Sequence, residues 1–402
     1  MFGSSVVGFA LGWYVAGDVS GEPGSATLFS TVMMMNILPW VFLGPFVGPL
    51  VDRWNRKKIM IYSDLVTMIL TGLLFVLFYT NDIQLWHIYV VLLLRAIGGV
   101  FQQPAFNAAV PMIVPEKHLV RANGLNMSLS GAINLVGPPA GAFLMATLPM
   151  HWVLSVDIIT ALLAIGILFM LRIPQPARTT LTEKPNVIGD MVQGFRYIAS
   201  WKALLVLIVI GAIINFVASP GEMMLPMLVT VRLGGDVLKL GWLGAAFGGG
   251  VITGGLILGA WGGFKRKIAT IFMSFIMYSI TVFIFGFTTE RLFFLGLSMW
   301  FMAGVANAIG NAPVGAIFQS VVPRDMQGRV FSLMISANSA MIPLGLLIFG
   351  PVADAIGIHM IYHIAGIVII VTVLIGFYFG NVMDLENQKA AEESETDKNV
   401  SL

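Results

Sequence analysis

The chain has no cysteine, five histidines and few charges: Asp, Glu, Lys and Arg make up 10% of its 402 residues. Without cysteine there is no disulfide, no thiol chemistry and no thiolate metal site, and the compartment stays open. The histidines (His87, His118, His151, His359, His363) contain no HExxH pattern. Only His359 and His363 share a helix face, and at a membrane boundary that pair reads as two interfacial side chains rather than a metal site. A soluble chain carries roughly 25% charged residues, so this scarcity excludes a water-soluble protein. A net charge of +2 is too balanced for a nucleic-acid-binding surface. What fills the chain instead is apolar: 57% of the residues are hydrophobic.

A hydrocarbon core about 30 Å thick needs about 20 mainly apolar residues per helix. Such runs predict twelve spanning helices, at 1–16, 26–50, 59–80, 85–112, 123–148, 152–172, 204–230, 240–262, 268–288, 292–313, 329–352 and 358–383. An even number puts both termini on one side. If that side is the cytoplasm, 18 of the 22 Lys and Arg fall in cytoplasmic segments, against Arg232, Lys239 and Arg291 outside and Arg95 within the membrane. Basic residues in short loops are retained inside, so both termini are expected to be cytoplasmic. The run Met1 to Ala16 is short and lacks the basic flank of a signal peptide. It reads as helix 1 in abbreviated form, or as the result of a start codon placed too late.

The expected fold is therefore an all-α membrane protein with two pseudo-symmetric six-helix bundles, at 1–172 and 204–383. Between them, 173–203 is expected to be a cytoplasmic linker. It carries Val187, Ile188, Met191, Phe195 and Ile198 at helical spacing, the pattern of an amphipathic surface helix. The tail, 384–402, has six acids against two bases and is expected to be disordered. The halves also repeat: Val114, Pro115, Arg121, Leu125, Ser128 and Gly137 recur as Val322, Pro323, Arg329, Leu333, Ser336 and Gly345, each displaced by 208. A fixed offset over equivalent junctions is the mark of an internally duplicated secondary transporter.

The most specific motif is Gly48-Pro-Leu-Val-Asp52-Arg53-Trp-Asn55-Arg56-Lys57-Lys58. Gly48 allows close helix approach, and the embedded Asp52 is placed to meet the positive end of another helix, that beginning near Gly328-Arg329 being the candidate. A simple positive-inside anchor would explain the cations but not Asp52.

Here the sequence resembles the major facilitator superfamily, whose signature is G-x-x-x-D-R-x-G-R-[RK]. Asn55 stands in place of the usual Gly, as the next residue to tolerate a left-handed backbone. The equivalent loop of the second half, Gly259 to Lys267, has Gly263 in place of the acid, so the gate of Gly48, Asp52, Arg53, Arg56, Lys57 and Arg329 is expected to be one-sided. The chain is most similar to the bacterial drug:proton antiporter branch that includes the macrolide efflux pumps, through Gly44 to Leu65, Pro104 to Pro115, Ala246 to Phe264 and Gly328 to Leu333. The resemblance implies alternating-access export of amphiphilic drugs from a bacterial cell membrane, driven by protons, with no cofactor.

Arg95 lies about 15 Å deep in helix 4, where an Arg marks a water-filled path or a paired site. A structural Arg bonded to helix-end carbonyls is the alternative. In the resembling antiporters an R-x-x-x-G pattern on this helix is linked to proton movement, and Arg95 to Gly99 fits it. Three acids also fall within helices. Asp64 is expected to join the cytoplasmic charge cluster with Arg53 and Arg56. Asp157 and Glu222 are the proton-coupling candidates, because a carboxylate held away from water is suited to binding and releasing a proton. Pro220-Gly221 is expected to break the helix around Glu222.

Asn36, Asn134, Asn215, Asn307 and Asn338 recur at mid-membrane depth, as interhelical hydrogen-bonding groups or as the lining of a central cavity, with Trp40, Phe247 and Trp300 as its apolar walls. Gly137-Pro138-x-x-Gly141 resembles the antiporter signature GPxxGG, with Ala142 for its last Gly, and reads as a hinge. The glycine-rich run Gly244 to Gly259 lacks GxxxxGK[ST] and reads as close helix packing, not a nucleotide loop. The expected partners are a small amphiphile, protons and the bilayer, with the chain acting as a monomer and without nucleic acid, metal or enzymatic activity. A metabolite, siderophore or sugar exporter, a membrane receptor or sensor, and an intramembrane enzyme are the alternatives.

Overall fold

Apolar runs with no water to bond their backbones must satisfy every N–H and C=O internally, and in this chain they do so as helices. The computed structural model describes residues 2–115, 118–171, 173, 187–322 and 324–379. Among these there are fourteen α-helices. They are α1 (Phe2–Asp18), α2 (Ser25–Arg53), α3 (Arg56–Thr80), α4 (Leu85–Ile113), α5 (Leu119–Thr147), α6 (Met150–Met170) and α7 (Val187–Ser200). There follow α8 (Lys202–Met223), α9 (Leu225–Arg232), α10 (Val237–Trp261), α11 (Lys267–Phe285), α12 (Phe293–Val321), α13 (Arg324–Ile356) and α14 (Ile358–Phe379).

Eleven of them, all but α1, α7 and α9, are long and apolar enough to cross a bilayer. The exterior fits that reading: Met170 is 87% exposed, Phe294 78% and Leu256 70%, apolar surface that water would not tolerate but lipid does. The first of the twelve expected spans is α1, whose 17 residues fall short of the usual length. A helix, α7, spans the residues expected to form the amphipathic linker helix, with Phe195 exposed and Ile198 buried. The acidic tail lies outside the described residues.

Local sequence sets the boundaries. Asn55 caps α3, its Oδ1 accepting from Lys58 N at 3.0 Å, with φ −70° and ψ 105°. This corrects the left-handed backbone expected there: Asn at this position serves as a helix cap. Asn81 ends α3 in the left-handed conformation, φ 59°. The seventh expected span is broken, but at Met224 and not at Pro220-Gly221. Pro220 stays inside α8, where it has no N–H to direct at the Phe216 carbonyl one turn earlier. Gly345 lies against that carbonyl, where any Cβ would collide. Pro226, in the first turn of α9, likewise strips the Glu222 carbonyl of its donor, and the chain turns there.

The chain packs as two compact units. The first comprises Met1–Pro185, Met223–Ala245 and Leu346–Asp354, the second Asn186–Glu222, Ala246–Gly345 and Ala355–Leu402. In the first, α3 packs on α4 and α6, α2 on α4, and α1 on α5, α6 and α9. In the second, α11 packs on α12 and α14. Helices gain little from apolar contact in lipid, so close backbone approach matters more. The glycine-rich run supplies it, as expected: a Cβ at Gly250 or Gly254 of α10 would strike the Phe301 or Val305 carbonyl of α12.

Candidate functional site

Each unit encloses a polar cavity. That of the first, about 240 Å³, is lined by Asn36 and Trp40 of α2, Asp64 of α3, Arg95 and Gln102 of α4, and Ser4 of α1. Helical spacing brings them together: Asn36 and Trp40 are i,i+4, and Arg95 and Gln102 are i,i+7. Trp40 lies over Gly99, where a Cβ would sit 3.2 Å from its Cζ2, so the glycine of the R-x-x-x-G pattern makes room for an indole.

Arg95 is paired. Its Nη1 is 2.7 Å from Asp157 Oδ2, with the two side chains 9% and 3% exposed. Arg95 also donates to Thr71 Oγ1, which is 3.0 Å from Asp157 Oδ2, and Ser4 Oγ donates to Asp157 Oδ1 at 3.0 Å. Four helices thus converge on one carboxylate. A buried ion pair supported by further hydrogen bonds is locally neutral and costly to break from one side.

Asp64 does not join the basic loop. Its Oδ1 accepts from Gln102 Nε2 at 2.7 Å at the cavity wall. The physical reason is periodicity: Asp64, Thr67 and Thr71 are i, i+3, i+7 on the face of α3 that meets α4. Arg56 turns elsewhere, its Nη1 reaching Ala108 O at 3.0 Å and Met112 Sδ at 2.6 Å. Among the described residues lining this cavity the charged side chains are Arg95, matched by Asp157, and the carboxyl group of Asp64.

Lys57 Nζ binds Phe169 O at 3.1 Å and Leu171 O at 2.8 Å, the negative carbonyl end of α6. The side chains of Asp52, Arg53 and Arg329, and with them the Asp52–Arg329 latch, lie outside the described part of the structure, as do the surroundings of Gly48 and the side chain of Asn134.

The second cavity, about 210 Å³, is lined by Asn215 and Glu222 of α8, Tyr278 of α11, Asn307 and Asn311 of α12, and Asn338 of α13. Glu222 accepts from Tyr278 Oη at 2.8 Å. Among the described residues no Lys or Arg lines this cavity. Asn215 Nδ2 bonds Gly211 O and Asn311 Nδ2 bonds Asn307 O, both at 3.0 Å, while Asn338 Oδ1 is buried without a hydrogen-bond partner among the described residues. An unmatched buried acceptor at a cavity wall is ready for a donor.

Phe247 and Trp300 do not line this cavity. Their rings lie 5.6 Å apart, and Trp300, 3% exposed, packs 4.5 Å from Phe285 and 6.2 Å from Tyr362. Tyr362 Oη donates to Gly221 O at 2.7 Å, so this aromatic cluster braces the turn beside Glu222. Arg95 thus has Asp157 as its counter-charge in the first unit, and Glu222 has Tyr278 as its hydrogen-bond donor in the second.

Along α5, Cβ atoms at Gly137 and Gly141 would meet Ser5 and Phe9 of α1, and one at Gly244 of α10 would meet Pro138. Gly241 faces Ala142, so the methyl that replaces the signature's last glycine is matched by a missing one opposite. His363 packs on Phe283 and Phe287 at 4.9 and 4.4 Å. Among the described residues no cluster of His, Asp or Glu could hold a metal ion.

Sequence reasoning missed Ser4, Thr71, Gln102, Tyr278 and Asn311. Thr71 and Gln102 stand seven residues beyond Asp64 and Arg95, and Asn311 four beyond Asn307, so periodicity carried the signal. Ser4 and Tyr278 had no such neighbour.

The family described as "Transmembrane secretion effector" matches residues 1–401. Macrolide efflux protein A of Streptococcus pyogenes is 30% identical over 357 residues, 87% of this chain and 86% of that protein. Macrolide efflux protein A of Enterococcus faecalis is 31% identical, over 80% of this chain and all (100%) of that one. The multidrug efflux pump Tap of Mycolicibacterium fortuitum is 28% identical, over 84% and 83%. Among solved structures, a POT family transporter in complex with a thioalcohol-conjugated peptide superposes with a TM-score of 0.73 at 10% identity, over 95% and 94% of the two chains. A D-xylose–proton symporter does so at 0.68 and 13%, over 95% and 97%.

Proposed function

Because this chain belongs to the transmembrane secretion effector family of the major facilitator superfamily, a multi-pass membrane transporter of the alternating-access type, we propose that it exports amphiphilic drug-like molecules in exchange for protons. Macrolides are the first class to test, since two relatives at 30% and 31% identity carry that name. In this reading α1 is the first of twelve spans and α8 with α9 the seventh. Residues 1–172 and 204–383 are the two six-helix halves, and 173–203 the cytoplasmic linker. Both termini face the cytoplasm of a bacterial cell, and the energy comes from the proton gradient. Gly137, Pro138 and Gly141 act as a hinge, and Asp52 with Arg329 as a cytoplasmic gate.

One observation carries the coupling. Glu222 lines a polar cavity with a neutral donor, Tyr278, as its partner and no cation among the described lining residues. A carboxylate so placed can change its proton content without breaking an ion pair, whereas Asp157 is bound to Arg95. Glu222 is therefore the proton carrier, and Asp157 holds Arg95 at the other cavity. Asp64, with its negative charge and the Trp40 indole nearby, favours an amphiphile bearing a protonated amine.

The test separates coupling from binding. In inverted vesicles, Glu222→Gln is expected to abolish accumulation driven by a pH gradient while retaining exchange of labelled for unlabelled substrate. Gradient-driven accumulation at the unaltered rate would remove Glu222 from the mechanism.

A further inference from the structure

We propose that Asp354 is the outer clasp of the transport cycle: its carboxylate caps the amino terminus of α2 and holds the ends of α2 and α13 together until the outer side opens. The inference rests on the topology above, with cytoplasmic termini, which sets Gly24 and Asp354 at the outer surface.

The first N–H groups of any helix lack intrahelical partners, and a side-chain oxygen just before the helix usually accepts from them. At α2 that position is Gly24, in the left-handed conformation with φ 75°, and it has no side chain to offer. Asp354, 328 residues beyond Ala26, supplies the cap. Its Oδ1 accepts from Ala26 N at 2.8 Å, and its Oδ2 from Thr27 N at 3.0 Å and Thr27 Oγ1 at 2.5 Å. Both carboxylate oxygens are engaged at the positive end of a 29-residue helix, and no cation pairs with Asp354 among the described residues.

One turn earlier on α13, Gly350 brings the backbones together. A Cβ there would collide with Ser30 Oγ and sit 3.1 Å from Thr27 Cα. Residues 346–354 of α13 belong to the same compact unit as α2, while α13 up to Gly345 belongs to the other. In the proposed topology α2 belongs to the first half and α13 to the second, so the carboxylate ties together two helix ends that part when the outer side opens.

Exposure makes the contact reversible. Asp354 is solvent-exposed, so water can replace its three donors, and opening strands no buried charge. The Arg95–Asp157 pair, almost wholly buried, has no such exchange available.

Because the chain has no cysteine, single-cysteine reporters give an unambiguous test. Ser30→Cys places a thiol under Gly350 at a site only 2% exposed. In intact cells, Asp354→Ala is expected to raise its labelling by a membrane-impermeant maleimide about tenfold, the loss of a well-placed cap charge. Gln103 also lines the first cavity, and in inverted vesicles the same substitution is expected to lower labelling of a separate Gln103→Cys reporter, since opening one side closes the other. General loosening would raise both rates, and that outcome, like an unchanged outer rate, overturns the clasp. Labelling of Ser30→Cys from the cytoplasmic face alone would instead overturn the topology. Thr27→Val, which removes only the hydroxyl bond, is expected to give a smaller rise in the same direction where Asp354→Ala fails to fold.

Discussion

At the scale of single residues, three acids within one membrane protein are given three different tasks by their partners. Asp157 has a guanidinium and two hydroxyls, Asp64 a single amide, Glu222 a single phenol. Removing one member of the buried pair leaves a charge with no counter-ion, which typically costs about 3–5 kcal/mol, while replacing both with apolar groups of similar volume is far cheaper. Asp157→Asn is thus expected to lower the melting temperature in detergent sharply, and Arg95→Met with Asp157→Leu to recover most of the loss. If the double variant is stable but does not transport, the pair serves function; if it also transports, the pair is structural.

At the scale of helices, glycine decides where backbones touch and proline where they turn. The run from Gly244 to Gly259 was legible in the sequence as packing, but not which of its glycines faces a neighbour. At Gly254 a Cβ meets the Val305 backbone, while at Gly255, one residue on, it meets nothing. Gly254→Leu is expected to destabilise by about 2 kcal/mol or more, measured by thermal unfolding, and Gly255→Leu to have little effect. The broken seventh span is a similar case. Pro220 and Pro226 each remove a donor, and local sequence alone does not say which break is tolerated. The helix runs on through Pro220, and Gly345 of α13 leaves the space that the Phe216 carbonyl and the Pro220 ring occupy. Asp64 was misjudged for a related reason: distance along the helix placed it near the basic loop, whereas its angular position turned it toward Gln102.

At the scale of the whole molecule, low charge, long apolar runs and the repeat at 208 carried the fold class, and the apolar exterior agrees with them. The internal partnerships were less legible, because they join residues far apart in the chain: Ser4 with Asp157 and Asp354 with Thr27 are separated by 153 and 327 positions. The absence of cysteine, which at first only excluded chemistry, makes the moving parts open to labelling. The central claim, proton-driven export, is tested most directly by following drug and proton together in reconstituted liposomes under an imposed pH gradient. The account predicts accumulation of a macrolide or similar lipophilic amine with proton movement in the opposite direction, both lost in Glu222→Gln. Accumulation that is indifferent to the gradient, or drug movement with no proton flux, would contradict it.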